Sequence, residues 1–201
     1  VDLIYGAHLQ SKMDSGYVYV RDGFLQASED TIKIVIRGSG THGAEPHNGV
    51  DPILTASHIM VALQTIVSRN IDPLKELVVS IGKFHSGEAD NVIPSKAVLE
   101  GTIRVFDPEL RKLAARRVCE IAENISIGLG ATAQVSIDTG YDSLWNHPEA
   151  MDIVRHVASD IYGQDRVIET PPVMPVEDFS YYTQVVPGAF FFVGAKLQDE
   201  S

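Results

Sequence analysis

The sequence predicts an α+β chain in which a ferredoxin-like βαββαβ sandwich, residues 30–140, is inserted between two segments of a second unit, 1–29 and 141–201. Three observations carry this. The apolar period switches between two and about 3.6 in the order strand, helix, strand, strand, helix, strand. Two Asp-Pro pairs, Asp51-Pro52 and Asp107-Pro108, each stand at the head of a helical stripe as N-cap and first helical residue. The flanking segments do not continue the pattern.

In order, Val1 to Glu29 reads as two short strands, the first opening on Leu3-Ile4-Tyr5. Thr31 to Arg37 alternates, with Ile32, Ile34 and Ile36 on one face of a half-buried strand. After a Gly- and His-rich loop, Ile53, Leu54, Met60, Val61 and Val67 recur at helical spacing up to Arg69 and Asn70. Leu77 to Phe84 and Ala97 to Phe106 are β-branched, alternating strands joined by a polar loop. A second helix, striped by Leu110, Leu113, Ala114, Ile121 and Ile125, ends at Gly128 and Gly130, and Thr132 to Ile137 closes the sandwich. Both helices should cover one face of the sheet, since each crossover puts its helix on the same side. Beyond it come a helix from Asn146-His147-Pro148 to Gly163 and a buried strand, Phe190 to Val193.

Composition narrows the function. With 16 Lys and Arg against 27 Asp and Glu the formal charge is −11, and the basic residues are scattered, which argues against nucleic acid as a partner. The sandwich also lacks the exposed stacking aromatics of an RNA-binding sheet. The longest mostly apolar stretch, Pro187 to Ala195, is far short of a bilayer span, so no membrane partner is expected. One cysteine, Cys119, makes no internal disulfide, and the expected compartment is cytoplasmic. The chain starts at Val1 directly on an apolar run and has only a short polar tail after Ala195; it reads as a fragment.

Several residues could carry chemistry. His42, in GSGTHGAEPH, lies on a glycine-rich loop that lets an imidazole project toward a ligand, although a lone His is also an ordinary surface residue. Asn91 precedes the second sandwich hairpin strand, and Arg104 lies within it, so that the strand places a cation beside the loops. Guanidinium with carboxamide makes a carboxylate receptor, while an Arg in a strand is as readily solvated or paired. His8 emerges at the end of a short strand as a metal-ligand candidate, with no second ligand at a diagnostic spacing. Glu177-Asp178 reads by spacing as an acidic helix start.

Five segments, GSGTHGAEPHNGVDPI, ADNVIP, GTIRVFD, MPVEDFSYY and PGAFFFVGA, occur in the order and spacing of the metal-dependent amidohydrolases that include hippurate hydrolase, aminoacylase and indole-acetyl-amino-acid hydrolases, and the chain resembles that family over almost its whole length. The resemblance implies a lid and dimerisation domain inserted in an α/β metallopeptidase catalytic domain, with 1–29 and 141–201 as parts of the latter. It implies hydrolysis of N-acyl amino acids or small peptides by two divalent metals, zinc or manganese, in a homodimer. By the same resemblance His8 is a metal ligand. His42 stabilises the oxyanion, in several relatives across the subunit boundary. Asn91 and Arg104 hold the substrate carboxylate, and Glu177, near the active site, is counted with them as substrate-binding. The paired glutamates, one of them the general base, and the Cys-Gly-His-Asp-type ligands have no counterpart in these 201 residues, and a last histidine ligand is expected shortly beyond Ala195. Alone, the chain is expected to bind metal weakly or not at all. It also departs from the family at Val176, where a glycine usually precedes the acidic pair. The alternative reading is a non-catalytic dimerisation or ligand-binding module.

Overall fold

Three strands, not two, precede the sandwich in the computed structural model, which describes residues 1–197: β1 (Ile4–Asp14), β2 (Val18–Val20) and β3 (Gly23–Gln26). The difference has a physical reason. Most of β1 is exposed on both faces, so beyond its first residues it has no apolar period to read. The chain divides into two units, Glu29–Gly140 and the pairing of Val1–Ser28 with Tyr141–Ser201.

The inserted unit starts on β4 (Ser28–Arg37), whose alternation buries Ile32, Ile34 and Ile36 completely. A two-residue strand, β5 (Thr41–His42), follows. Helix α1 (Pro52–Thr65) starts where Asp51 Oδ1 accepts from the N–H groups of Ile53 (2.8 Å) and Leu54 (3.2 Å), and it runs on into a single π turn over Ile66–Asn70. The hairpin strands are β6 (Leu77–Ser86) and β8 (Lys96–Val105), with the short β7 (Val92–Ile93) in the loop between them. In α2 (Pro108–Gly128) the cap is repeated, Asp107 Oδ1 accepting from Glu109 N–H at 2.8 Å. The helix gives way at Gly130, whose φ of 78° suits glycine, before β9 (Thr132–Thr139).

Strand order in this unit is β6-β8-β4-β9, the ferredoxin-like arrangement. Ala56, Ile59 and Leu63 of α1 and Ala114, Val118 and Ala122 of α2 bury one face of the sheet together with Leu99, Ile103 and Val105. The other face is polar. Lys83 and Lys33 each reach Glu100 at 3.1 Å, and these contacts, Lys83 first, hold the Glu100 carboxyl below the usual carboxylate range. Among the described residues β6 is an edge strand, and Leu54 and Val61 of α1 are more than half exposed.

The second unit adds β10 (Leu144–Asn146), α3 (Pro148–Tyr162), β11 (Val167–Glu169), the single turn α4 (Ser180–Thr183) and β12 (Gly188–Lys196). Its sheet order is β1-β12-β2-β11, with β1 parallel to β12. Alternation along β12 sends Ala189 toward Ala150, Met151 and Val154 of α3, while Phe190 and Phe192 pack with Leu25, Leu144 and Phe179. Asn146, fully buried, ties the layers: its Nδ2 donates to the carbonyls of Arg21 (2.9 Å) and Phe190 (2.8 Å), and its Oδ1 accepts from Phe190 N–H (2.7 Å).

Candidate active site

In the second unit the structure brings together two residues 169 positions apart. His8 Nδ1 lies 3.3 Å from Glu177 Oε2, the glutamate largely buried and the histidine largely open. Local packing explains the meeting. Gly6 and His8 share a face of β1, and a Cβ on Gly6 would come within 2.6 Å of the Phe190 ring and 2.9 Å of the Phe179 ring. Glycine therefore lets Phe179 pack close against β1. Glu177, two residues earlier, is carried to His8, and its carbonyl accepts from Ser180 N–H (3.2 Å) at the head of α4. Glu177 thus serves a histidine rather than acting only as an acidic helix start.

A carboxylate on Nδ1 orients an imidazole and leaves Nε2 to face a metal, the usual form of an outer-sphere partner. The pair fits one ligand of a metal centre. It does not fit a whole one, which needs three or four; among the described residues no group of three or more His, Cys, Asp and Glu is placed to hold a metal ion.

In the inserted unit His42 and Asn91 meet at the tip of the sandwich. β5 pairs antiparallel with β7, His42 opposite Val92, and Gly43 N–H donates to the Asn91 carbonyl at 2.7 Å. Close approach favours the glycines: a Cβ on Gly43 would crowd Asn91 O at 3.0 Å, and one on Gly38 would collide with the Val50 carbonyl. Both His42 and Asn91 are exposed. The imidazole is not left to spin. Its Nδ1 accepts from Ala44 N–H at 3.0 Å, so in the neutral ring the proton is on Nε2, which points outward as a donor. That suits His42 to an oxyanion rather than to a metal, because a ligand nitrogen must offer a lone pair.

Arg104 is elsewhere. It stands opposite Val78, at the far end of β8 from the Asn91 loop. The eight steps from Lys96 to Arg104 rise about 26 Å at the usual strand spacing. The expectation that the strand sets this cation beside the loops is therefore corrected within one chain: a ten-residue extended strand carries its ends too far apart. Arg104 Nη2 instead donates to Glu29 Oε1 at 3.0 Å. Next to it Arg111 grips Asp30 through Nε and Nη2, and its Nη2 also donates to the Glu29 carbonyl (3.1 Å). Sequence reasoning did not find Glu29, Asp30 or Arg111, whose partners lie 75 to 82 residues away. Cys119 is partly buried on α2, and that burial raises its thiol pKa, with Glu123 adding to the rise.

Residues 30–126 match the model of a peptidase dimerisation domain, that of the M20 peptidases. Over 194 residues, 96% of the chain, it is 40% identical to an N-acetyl-L-cysteine deacetylase of Bacillus subtilis, covering 46% of that protein. Over 98% of the chain it is 38% identical to thermostable carboxypeptidase 1 of Saccharolobus solfataricus, covering 49%. The crystal structure of the Bacillus subtilis YXEP protein, a dinuclear metal binding peptidase, matches all of the chain and 50% of that structure with a TM-score of 0.80 at 29% identity. A Staphylococcus aureus chain provisionally called an aminohydrolase matches with a TM-score of 0.89 at 31% identity, over all of this chain and 52% of its own. Residues 30–126 thus carry the dimerisation domain of the M20 peptidases, and over nearly its whole length the chain is similar to deacetylases and peptidases of that kind. It spans about half the length of the curated relatives it matches.

Proposed function

We propose that the polypeptide carrying this chain is a metal-dependent amidohydrolase that cleaves the amide bond of N-acyl amino acids or small peptides, with Glu29–Gly140 as its lid and dimerisation domain. The observation that carries the proposal is the tautomer of His42. An imidazole whose Nδ1 is engaged by Ala44 N–H offers Nε2–H as a neutral donor, the group needed where negative charge develops on a carbonyl oxygen. The names of the relatives, deacetylase and carboxypeptidase, fit the same chemistry.

Two divalent metals, zinc or manganese, supply an activated water when bound. His8 would hold one of them through Nε2, oriented by Glu177, and further ligands must come from outside the residues described here. The chain's own residues do the rest: His42 donates to the oxyanion, and Asn91 and Arg104 bind the substrate carboxylate. Because Asn91 and Arg104 lie at opposite ends of β8, one substrate touched by both takes them from two chains. A homodimer satisfies this, and the free edge of β6 with the exposed Leu54 and Val61 beside it is the surface suited to a second copy. No helix among the described residues is long and apolar enough to cross a membrane. The single cysteine, which makes no internal disulfide, suits a cytoplasmic enzyme.

In the catalytically complete protein, His42→Ala should lower kcat by about 10²- to 10³-fold with metal content unchanged. Wild-type turnover in that variant would refute the role. A second reading, a non-catalytic module, is favoured for the chain alone by the incomplete ligand set around His8 among the described residues. Elemental mass spectrometry decides it: two metals per chain refute the module.

A further inference from the structure

Two ion pairs stand side by side where the inserted unit begins, and they differ in kind. Asp30 and Arg111 are closed off, their side chains 4% and 13% exposed, and Arg111 is further engaged by the Glu29 carbonyl. Glu29 and Arg104 are more open, 26% and 27% exposed, with Arg104 Nη2 donating to Glu29 Oε1 at 3.0 Å. The Glu29 backbone is held independently of its carboxylate, since its carbonyl accepts from both Arg111 Nη2 (3.1 Å) and Gly140 N–H (2.9 Å). The carboxylate can therefore leave Arg104 without disturbing the fold around it. A partly solvated pair of this sort is weak and exchangeable, whereas the buried pair beside it is a fixed part of the structure.

We propose that Glu29 is an internal stand-in for the substrate carboxylate, occupying Arg104 while the site is empty and giving way when a free carboxylate arrives, so that it sets how strongly a ligand must bind to be taken up. The inference rests on the reading that Arg104 receives the substrate carboxylate. A guanidinium engaged by Glu29 is not competent for substrate, and apparent affinity falls by the fraction of time it is engaged. Only a negatively charged group of similar shape competes for the fork; an ester does not. Glu29 is thus a specificity-determining residue that makes the protein more selective for free acids at the expense of affinity.

The test uses the catalytically complete polypeptide, with N-acetyl-L-methionine and its methyl ester as probes. Glu29→Gln removes the charge and keeps the shape. The expected result is a KM for the free acid lowered about two- to five-fold, the range set by a solvated ion pair, with little change in kcat and none in the ester's KM. Glu29→Ala should do the same, and Glu29→Asp, one methylene shorter but still charged, should fall between. Arg104→Ala is run alongside and should raise the KM for the acid alone. If Arg104→Ala raises that KM while Glu29→Gln leaves it unchanged or raises it, Glu29 only supports Arg104 and the stand-in role is overturned. If Arg104→Ala has no selective effect on the acid, the carboxylate reading of Arg104 fails instead, and the stand-in falls with it.

Discussion

Replacing Asp30 with Ala should destabilise one unit of the chain and spare the other. Asp30 Oδ1 accepts from Arg111 Nε at 3.0 Å and from Nη2 at 2.5 Å, and Oδ2 accepts from Nε at 3.1 Å, with the carboxylate only 4% exposed. Removing it leaves a largely buried guanidinium without its counter-charge, which typically destabilises by about 3–5 kcal/mol. Arg111 keeps the Glu29 and Gly140 carbonyls and is 13% exposed, so the lower end, about 3 kcal/mol, applies. For a unit of this size that corresponds to a fall in Tm of roughly 12 °C, at about 4 °C per kcal/mol. The chain offers its own control. Its one tryptophan, Trp145, lies on β10 in the other unit and stacks edge-on against Phe24 at 4.7 Å, so tryptophan fluorescence follows that unit while far-UV circular dichroism follows both. Asp30→Ala should move a component of the dichroism melt down by about 12 °C and leave the fluorescence melt in place. A dichroism shift under about 4 °C would refute the assignment of this pair as a buried structural contact. Replacing both partners by apolar residues, Asp30→Leu with Arg111→Met, should recover most of the loss, because no charge is then left buried.

Other expectations follow from the same geometry. If His42 and Arg104 serve one substrate from two chains, His42→Ala and Arg104→Ala homodimers are each impaired, yet a random mixture of the two should regain about a quarter of wild-type activity, since half the dimers carry one intact site; no recovery on mixing would place both residues in one chain's site. The Glu100 carboxyl is held low by Lys83 and then Lys33, so its contribution to stability is present above the ordinary carboxylate pKa and lost as pH falls through the depressed folded value. Acid titration of Lys83→Met should therefore lose less stability below the usual carboxylate range than the wild type, and an identical profile would count against the network. Burial raises the Cys119 thiol pKa, so iodoacetamide at neutral pH should label it far more slowly in the native chain than in urea; equal rates would contradict its placement.

Legibility in the sequence tracked the range over which each signal acts. Asp51-Pro52 and Asp107-Pro108 announce helix starts because an N-cap is satisfied within three residues. The isoleucines at 32, 34 and 36 announce a strand because burial of one face imposes a period of two. The three-residue strands β10 and β11 and the pair β5 and β7 are too short to show any period, and they were missed for that reason. Of the site, the His42 loop is visible in its glycines, because the backbone there is crowded against Asn91 and leaves no room for a Cβ against Val50. The separation of Asn91 from Arg104 was also available in principle, since the length of the strand between them fixes it. Contacts such as His8 with Glu177 and Glu29 with Arg104 could not be read: they join residues 169 and 75 positions apart, and only packing of Phe179 on Gly6, or pairing of β4 with its neighbours, brings them together.

Gly140 N–H donates to the Glu29 carbonyl at 2.9 Å, and Asp30 pairs in register with Thr139, so the inserted unit is entered and left through adjacent rungs of one ladder. In the grammar of the gene the unit is a parenthesis. Because its two ends already touch, a host protein that acquires it closes no new loop, and one that loses it needs only a hairpin-sized bridge in its place. The unit can therefore be exchanged, enlarged or grafted as a single cassette while the chain on either side keeps its own pairing.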